Sequence, residues 1–261
     1  MKKIVLAILI CTSLGTVAQE TLITDRPDQT ESPNAVGVGE LQIESGLLFQ
    51  RSQLSPQISE QRSVYPTNLF RIGLAKKLEL RIVNEVVSYK IVNNATGEEV
   101  LSVSGTENLQ LGFKYQISES DSRTIIGVMA HAILPTGSEG ISNELSGIFS
   151  RINISHDLDD KRNISANFGY NNYEYSFDDG VQSSSDGEFS YTLVYGQGLT
   201  NKLGVYIESF GEYVEFEDWS NNMDAGMTYL INNNIQLDYS FGWGLNNVMN
   251  YHSVGISIRL Q

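Results

Sequence analysis

Apolar residues recur at every second position through most of this chain. From Asn108 to Ile117 the apolar set is Leu109, Leu111, Phe113, Tyr115 and Ile117, interleaved with Asn108, Gln110, Gly112, Lys114 and Gln116. Ile235, Leu237, Tyr239, Phe241, Trp243 and Leu245 alternate in the same way with Gln236, Asp238, Ser240, Gly242 and Gly244. Phe189 to Gly196 and Val254 to Leu260 repeat the pattern. A period of two is that of a β-strand with one apolar face. About twelve such segments can be placed, at 38–51, 65–75, 78–90, 106–117, 123–135, 144–156, 162–176, 187–199, 202–216, 222–231, 234–245 and 251–260. They run roughly 10–15 residues each, where a soluble strand averages ~5–6 and a tilted strand crossing a bilayer needs ~9–11.

The joins between segments carry a second signal. Those after even-numbered strands are short: Lys76-Lys77, 118–122, 157–161, Thr200-Asn201 and Asn232-Asn233. Those after odd-numbered strands are mostly longer, at 52–64, 91–105, 136–143, 177–186 and 246–250, with one short join near Glu217 to Asn221. This asymmetry matches outer-membrane barrels, which have short periplasmic turns and longer surface loops. Lipid supplies no hydrogen-bond partners, so a spanning sheet has to close on itself. The expected fold is all-β, a closed antiparallel transmembrane barrel of about twelve strands over 37–261, with both chain ends on the periplasmic side. A soluble sandwich or open antiparallel sheet also alternates. Strand length, loop asymmetry and the cysteine usage weigh against it.

The first residues are set apart from this pattern. Lys2 and Lys3 precede an apolar run, Ile4 to Val17, and Thr16-Val17-Ala18 offers small residues for cleavage. This reads as a secretory signal peptide over 1–18. Cys11 raises a lipoprotein alternative, but Ile10 stands where lipidation wants a small residue. Removing the signal removes the chain's one cysteine, and with it any disulfide or thiol chemistry. Its formal charge of −14 becomes −16 when Lys2 and Lys3 are lost, which argues against nucleic acid or anionic headgroups as general partners. Twenty-three glycines and 13 tyrosines against five prolines suit an all-β chain rather than disorder.

With the apolar set facing lipid, the other set faces the lumen. Its ionisable members are Glu44, Arg71, Glu79, Arg81, Glu85, Lys114, His131, Arg151, Glu208, Asp238 and Arg259. Both signs are present, so these groups would pair across the lumen or line a pore. Closure makes the first and last strands neighbours, which would bring Glu44 near Arg259. The many glycines in the inward set point to an open lumen rather than a filled one.

Thr24 to Pro33, "TDRPDQTESP", fits neither strand nor helix. Pro27 and Pro33 forbid regular pairing, and Asp25, Asp28 and Glu31 recur every three residues. In an extended polyproline-like backbone they would share one side, with Arg26 free to pair with carboxylates. Three uses are open for residues 19–36: a lumen plug or gate through Asp25, Arg26, Asp28 and Glu31; a solvated leader or docking strip; or a hard-cation site, for which the spacing is not that of an EF-hand. Thr24 to Gly46 resembles the start of the phenol-degradation MetA-pathway family, bacterial outer-membrane barrels labelled as transporters. That resemblance implies a transport role more than a defined ligand. The chain ends in Leu260-Gln261 rather than the aromatic residue that barrel-assembly machinery reads in many such proteins.

Enzymatic signatures are weak. His131, His156 and His252 are the only histidines, and no G-x-S-x-G elbow accompanies them. Three separated histidines give no transition-metal spacing, and no glycine motif cradles phosphate. Tyr170, Tyr173, Tyr175, Trp219 and Trp243 suit an interfacial girdle, or less readily a stacking site at a pore mouth. The expectation is a non-enzymatic outer-membrane channel for passive uptake of a small solute, hydrophobic or aromatic. It needs no cofactor or metal; its partners are membrane lipid, the solute and the assembly machinery. The rival readings are a plugged structural or adhesion barrel and an outer-membrane hydrolase.

Overall fold

The computed structural model describes residues 21–142, 145–177, 182–214 and 218–261. Residues 1–20 lie outside the described residues, and with them the expected signal peptide. Thirteen strand segments form one antiparallel sheet among the described residues: β1 (Leu41–Ser55), β2 (Ile58–Ala75), β3 (Leu78–Asn93), β4 (Glu99–Thr106), β5 (Leu109–Gln116), β6 (Thr124–Leu134), β7 (Leu145–Asp159), β8 (Arg162–Phe177), β9 (Gln182–Gly198), β10 (Leu203–Val214), β11 (Asp218–Asn232), β12 (Ile235–Gly244) and β13 (Met249–Leu260). Each pairs with its neighbours around the ring. β1 joins β13 from Leu41 opposite Leu260 to Ser52 opposite Met249, and β2 joins β3, so the sheet closes.

β4 and β5 are successive parts of one stave. β5 pairs with the first part of β3 and β4 with the later part, which gives a twelve-stranded barrel. The sequence predicts a single strand there, over 106–117. Asn108 breaks it: its Oδ1 accepts from the Thr136 and Gly137 N–H groups at 3.0 and 2.8 Å, and its Nδ2 donates to the Ser142 carbonyl at 2.5 Å. The polar side chain ties the following connection into the ladder where β4 would otherwise have met β6.

The asymmetry of the two ends is present but smaller than the sequence predicts. β1 continues to Ser55 and β2 begins at Ile58, so a two-residue turn replaces the expected loop over 52–64. β3 and β4 likewise consume most of 91–105. The ladder continues into these stretches, but in the extensions of β1 and β2 the outward positions Arg51, Gln53, Gln61 and Ser63 are polar. The apolar half of the alternation therefore fades while the backbone pairing persists.

The faces divide as the period of two requires. Phe113, Tyr115, Ile152, Phe168, Leu193, Ile207, Leu237 and Val254 are exposed on the outer wall, as are Tyr170 and Trp219. Trp219 stacks on Tyr191 at 5.5 Å, and Trp243 on Phe241 at 5.8 Å. An apolar outer belt is what a lipid-facing barrel wall needs. The inner wall is polar, and most of the largest fully buried side chains are Arg71, Arg81, Lys114, Glu44, Glu79, Glu208 and their amide neighbours. This inverts the usual interior of a soluble protein.

An N-terminal strap inside the barrel as candidate functional site

Residues 21–40 run through the barrel interior before β1 begins. Leu22 N–H donates to the Asn233 carbonyl in the β11–β12 turn at 2.9 Å, which fixes the strap at the end bearing the short turns. A strap with no strand beside it must find side-chain partners for its backbone. The lumen supplies them. Glu44 accepts from Asp25 N–H at 2.9 Å, Glu208 from Gln29 N–H at 2.7 Å, Asn167 from Glu31 N–H at 2.7 Å and Glu79 from Val36 N–H at 2.9 Å. The strap's carbonyls are bound in turn: Arg71 donates to the Ile23 and Asn34 carbonyls, and Asn153 and Asn167 to that of Glu31.

Inward glycines mark where the strap passes. A Cβ on Gly127 would stand 2.6 Å from the Pro33 carbonyl oxygen, and one on Gly73 would collide with the Gly37 carbonyl. A Cβ on Gly255 would strike the Arg26 guanidinium. The glycines that the sequence reading took as signs of an open lumen instead make room for this segment.

The strap bends back on itself. Ser32 N–H donates to Asp25 Oδ1 at 2.8 Å, closing a loop with Asp28 near its apex. The three carboxylates therefore do not share one side, as a polyproline-like backbone would have arranged them. Asp25 turns to the wall of β2, β3 and β5. Its Oδ2 lies 2.6 Å from Arg81 Nη1 and 2.9 Å from Lys114 Nζ, with Arg71 Nη1 3.5 Å from its Oδ1. Glu44 and Glu79 complete the cluster at 3.0 and 2.9 Å from Arg71. Three acids meet three bases, all buried. Burial alone would raise the Asp25 pKa, but Arg71, Lys114 and Arg81 outweigh it and hold the carboxyl well below its usual range. Glu31 joins the edge of this cluster through Arg81 at 3.0 Å and Arg151 at 3.8 Å. Asp28 faces the other way. Burial first, and then the charge of Asp224, push its carboxyl well above the usual range.

Other sequence-selected residues are placed as follows. Arg26 reaches Asp238 at 2.9 Å and donates to Ser253 Oγ at 2.9 Å. Glu208 also accepts from Thr30 Oγ1 at 2.5 Å. Glu85 sits apart from the strap, 3.4 Å from Arg62. His131 Nε2 accepts from Arg81 Nε at 3.0 Å. Glu44 and Arg259 do not pair. The register sets Glu44 opposite Ser257 and Arg259 opposite Gln42, and the Arg259 guanidinium turns to Asn234 at 3.0 Å and to Glu40 at 3.8 Å. Sequence reasoning passed over Asp224, Tyr251, Asn153 and Asn167, which line the strap's surroundings. Their inward parity was the available signal, but it does not separate contact residues from spacers.

The strap leaves space on both sides. Toward the loop end, a cavity of about 470 Å³ is lined by Leu48, Arg62, Arg151, Phe210, Met249 and Tyr251. Toward the turn end, a cavity of about 380 Å³ is lined by Thr24, Asp28, Pro33, Arg123, Ser155 and Tyr206. A third, of about 270 Å³, is lined by Pro27, Asp28, Glu44, Val64, Glu85 and Ser240.

The model of the family described as "Putative MetA-pathway of phenol degradation" matches residues 24–260. The chain belongs to that family. The matched span takes in the strap from Thr24 as well as all thirteen strand segments of the MetA-pathway barrel. An outer-membrane channel from Pseudomonas putida F1 superposes with a TM-score of 0.66 at 13% identity, over 87% of this chain and 97% of that one. The β domain of the Bordetella autotransporter BrkA gives 0.56 at 12% identity, over 85% and 99%. The translocator domain of NalP from Neisseria meningitidis gives 0.55 at 10% identity, over 86% and 90%. At these identities the likeness is one of fold, and the fold is that of bacterial outer-membrane barrels. A comparison with curated proteins finds no match. The MetA-pathway chain thus has the fold of a bacterial outer-membrane barrel.

Proposed function

We propose that this barrel is a passive outer-membrane channel for a small solute, hydrophobic or aromatic, with the strap as its gate. The observation that carries this reading is a closed barrel whose interior keeps cavities on both sides of a segment that is held to the lumen wall by hydrogen bonds and ion pairs. On this reading Asp25, Arg26, Asp28 and Glu31 are gate residues. Glu44, Arg71, Glu79, Arg81, Lys114, His131, Arg151, Glu208 and Asp238 form the seat, while Glu85 is turned to Arg62 and Arg259 lies by the β11–β12 turn. The loop-end cavity sets Leu48, Phe210, Met249 and Tyr251 beside Arg62 and Arg151. That mixture suits a solute with an apolar body and a few polar atoms.

The hydrolase reading would need His131 as a base. Its Nε2 lone pair is engaged by Arg81, and Gln110 Oε1 lies 3.3 Å from Nδ1, so the ring is held as part of the seat. Proteoliposomes containing the mature chain should take up a small neutral aromatic alcohol faster than protein-free vesicles. Uptake no faster than the lipid background would favour a filled structural barrel that works through its loops.

A further inference from the structure

The bases that touch the strap or its seat are matched with acids, whereas several acids there have no base; Arg123, at the rim of the turn-end cavity, donates to the Leu158 carbonyl instead. Arg26, Arg62, Arg71, Arg81, Lys114 and Arg151 each lie within 4 Å of a carboxylate. Among the described residues, Asp28, Glu208 and Asp224 form no salt bridge, and neither do Glu188 and Glu212, which line the loop-end cavity on the same side. The surplus of carboxyl groups is therefore local, on the β9–β11 side facing the apex of the strap.

Asp28 occupies a particular place in this arrangement. It lines the third cavity together with Val64, Glu85 and Ser240, and it lines the turn-end cavity together with Arg123, Ser155 and Tyr206. Anything moving past the strap by these cavities passes Asp28. Uncharged oxygens without partners face the same spaces. Ser240 is fully buried, its Oγ has no hydrogen bond, and it lines the third cavity. The Tyr206 hydroxyl is likewise without a partner and borders the turn-end cavity. Asp224 and Glu208, both fully buried, line neither cavity; Asp224 accepts from the hydroxyl of Tyr251, which borders the third cavity, and its carboxyl Oδ1 has no partner. Such oxygens are costly to bury unless something donates to them or coordinates them.

Resting on the channel reading, we propose that Asp28 at the cavity wall, with the buried carboxyls of Asp224 and Glu208 beside it, makes the passage along the strap prefer cations, whether small inorganic cations or protonated amines, and reject anions. A carboxylate surplus in a narrow, low-dielectric passage attracts positive charge, and unpartnered oxygens replace part of its hydration. Among the described residues no three of His, Cys, Asp and Glu are arranged to hold a metal ion. The group is therefore a place of transit rather than of tight binding.

The test is the reversal potential of the mature chain in planar bilayers across a potassium chloride gradient. The expected result is a several-fold preference for potassium over chloride. It should shrink when the bath is raised from about 0.1 M to about 1 M salt, which screens the carboxylates. D28N/D224N should bring the ratio close to unity, with barrel assembly checked by heat-dependent gel mobility. Conductance with no preference, or with a preference for chloride, would overturn the inference while leaving the channel reading intact. A reconstituted barrel that passes neither ions nor solute would overturn both. The salt dependence is read on the unaltered protein, so poor assembly of the double variant leaves the inference open to refutation.

Discussion

The two sides of the lumen are built on opposite electrostatic terms. On the β2–β5 side, Asp25, Glu44 and Glu79 are met by Arg71, Arg81 and Lys114, and the strap is pinned there. On the β9–β11 side, Asp28, Glu208 and Asp224 face one another with no base beside them, and the strap is held by neutral donors such as Thr30 and the Gln29 N–H. A buried ion network tolerates little loss, because removing one partner strands the others. A surplus of like charge gains when one member is neutralised. One side serves as an anchor, and the other is where passage would open.

The largest break in this contrast should come from Arg81→Met. It leaves Asp25, Glu79 and Glu31 short of a cation, and such losses cost on the order of 3–5 kcal/mol. The strap should leave its seat, seen as larger conductance steps and as protease cleavage within residues 24–33. Gly73→Val should act in the same direction more weakly. Its side chain would occupy the space of the Gly37 carbonyl, at about 1–3 kcal/mol for overpacking, read as a lower unfolding temperature with the same outer-membrane insertion. Asp224→Asn should change stability by less than about 1 kcal/mol, because it removes like-charge repulsion while keeping an acceptor for Tyr251. Its effect should be on ion preference instead.

Acidification should separate the two sides without any substitution. Asp25 is held well below the ordinary carboxylate range, so its anchoring is fully present above that range and is lost only as pH falls through the lowered value. Asp28 is pushed well above the ordinary range, so its proton favours the seated strap at low pH, and that contribution fades as pH rises through the raised value. The groups around it are Glu208, Asp224, the Arg26–Asp238 pair, Tyr206 and Tyr251, with Asp25 and its three bases beyond. As pH falls through the raised Asp28 value, cation preference should decline while the strap stays protease-resistant. Release of the strap before the ordinary carboxylate range is reached would mean that the anchor is weaker than its geometry implies.

Much of the barrel was legible because lipid imposes a strict rule on it. One face of every spanning strand must be apolar, and the inward parity of Arg71, Glu79, Arg81 and Lys114 followed from that rule alone. The limits of legibility have physical reasons as well. Where outward positions turn polar the pattern lapses, so the extensions of β1 and β2 past residue 51 read as loop. The break at Asn108 depends on a side chain reaching residues 136, 137 and 142, which no local pattern reports. The strap's course was hidden because its partners are scattered around the ring, from Gln42 to Ser253. Inward glycines were the strongest clue to it, and they admit two meanings, empty space or space for another backbone. The surplus acid at Asp224 was visible as an inward aspartate, but its lack of a base depends on where every other charge settles.

The central claim is that a strap anchored on the paired side closes an otherwise continuous lumen. The most direct measurement is single-channel conductance of the mature barrel in planar bilayers with and without residues 19–36. The account predicts small, cation-preferring steps from the mature chain and several-fold larger, less selective steps once the segment is removed. Equal conductance in the two forms, or none in either, would contradict it.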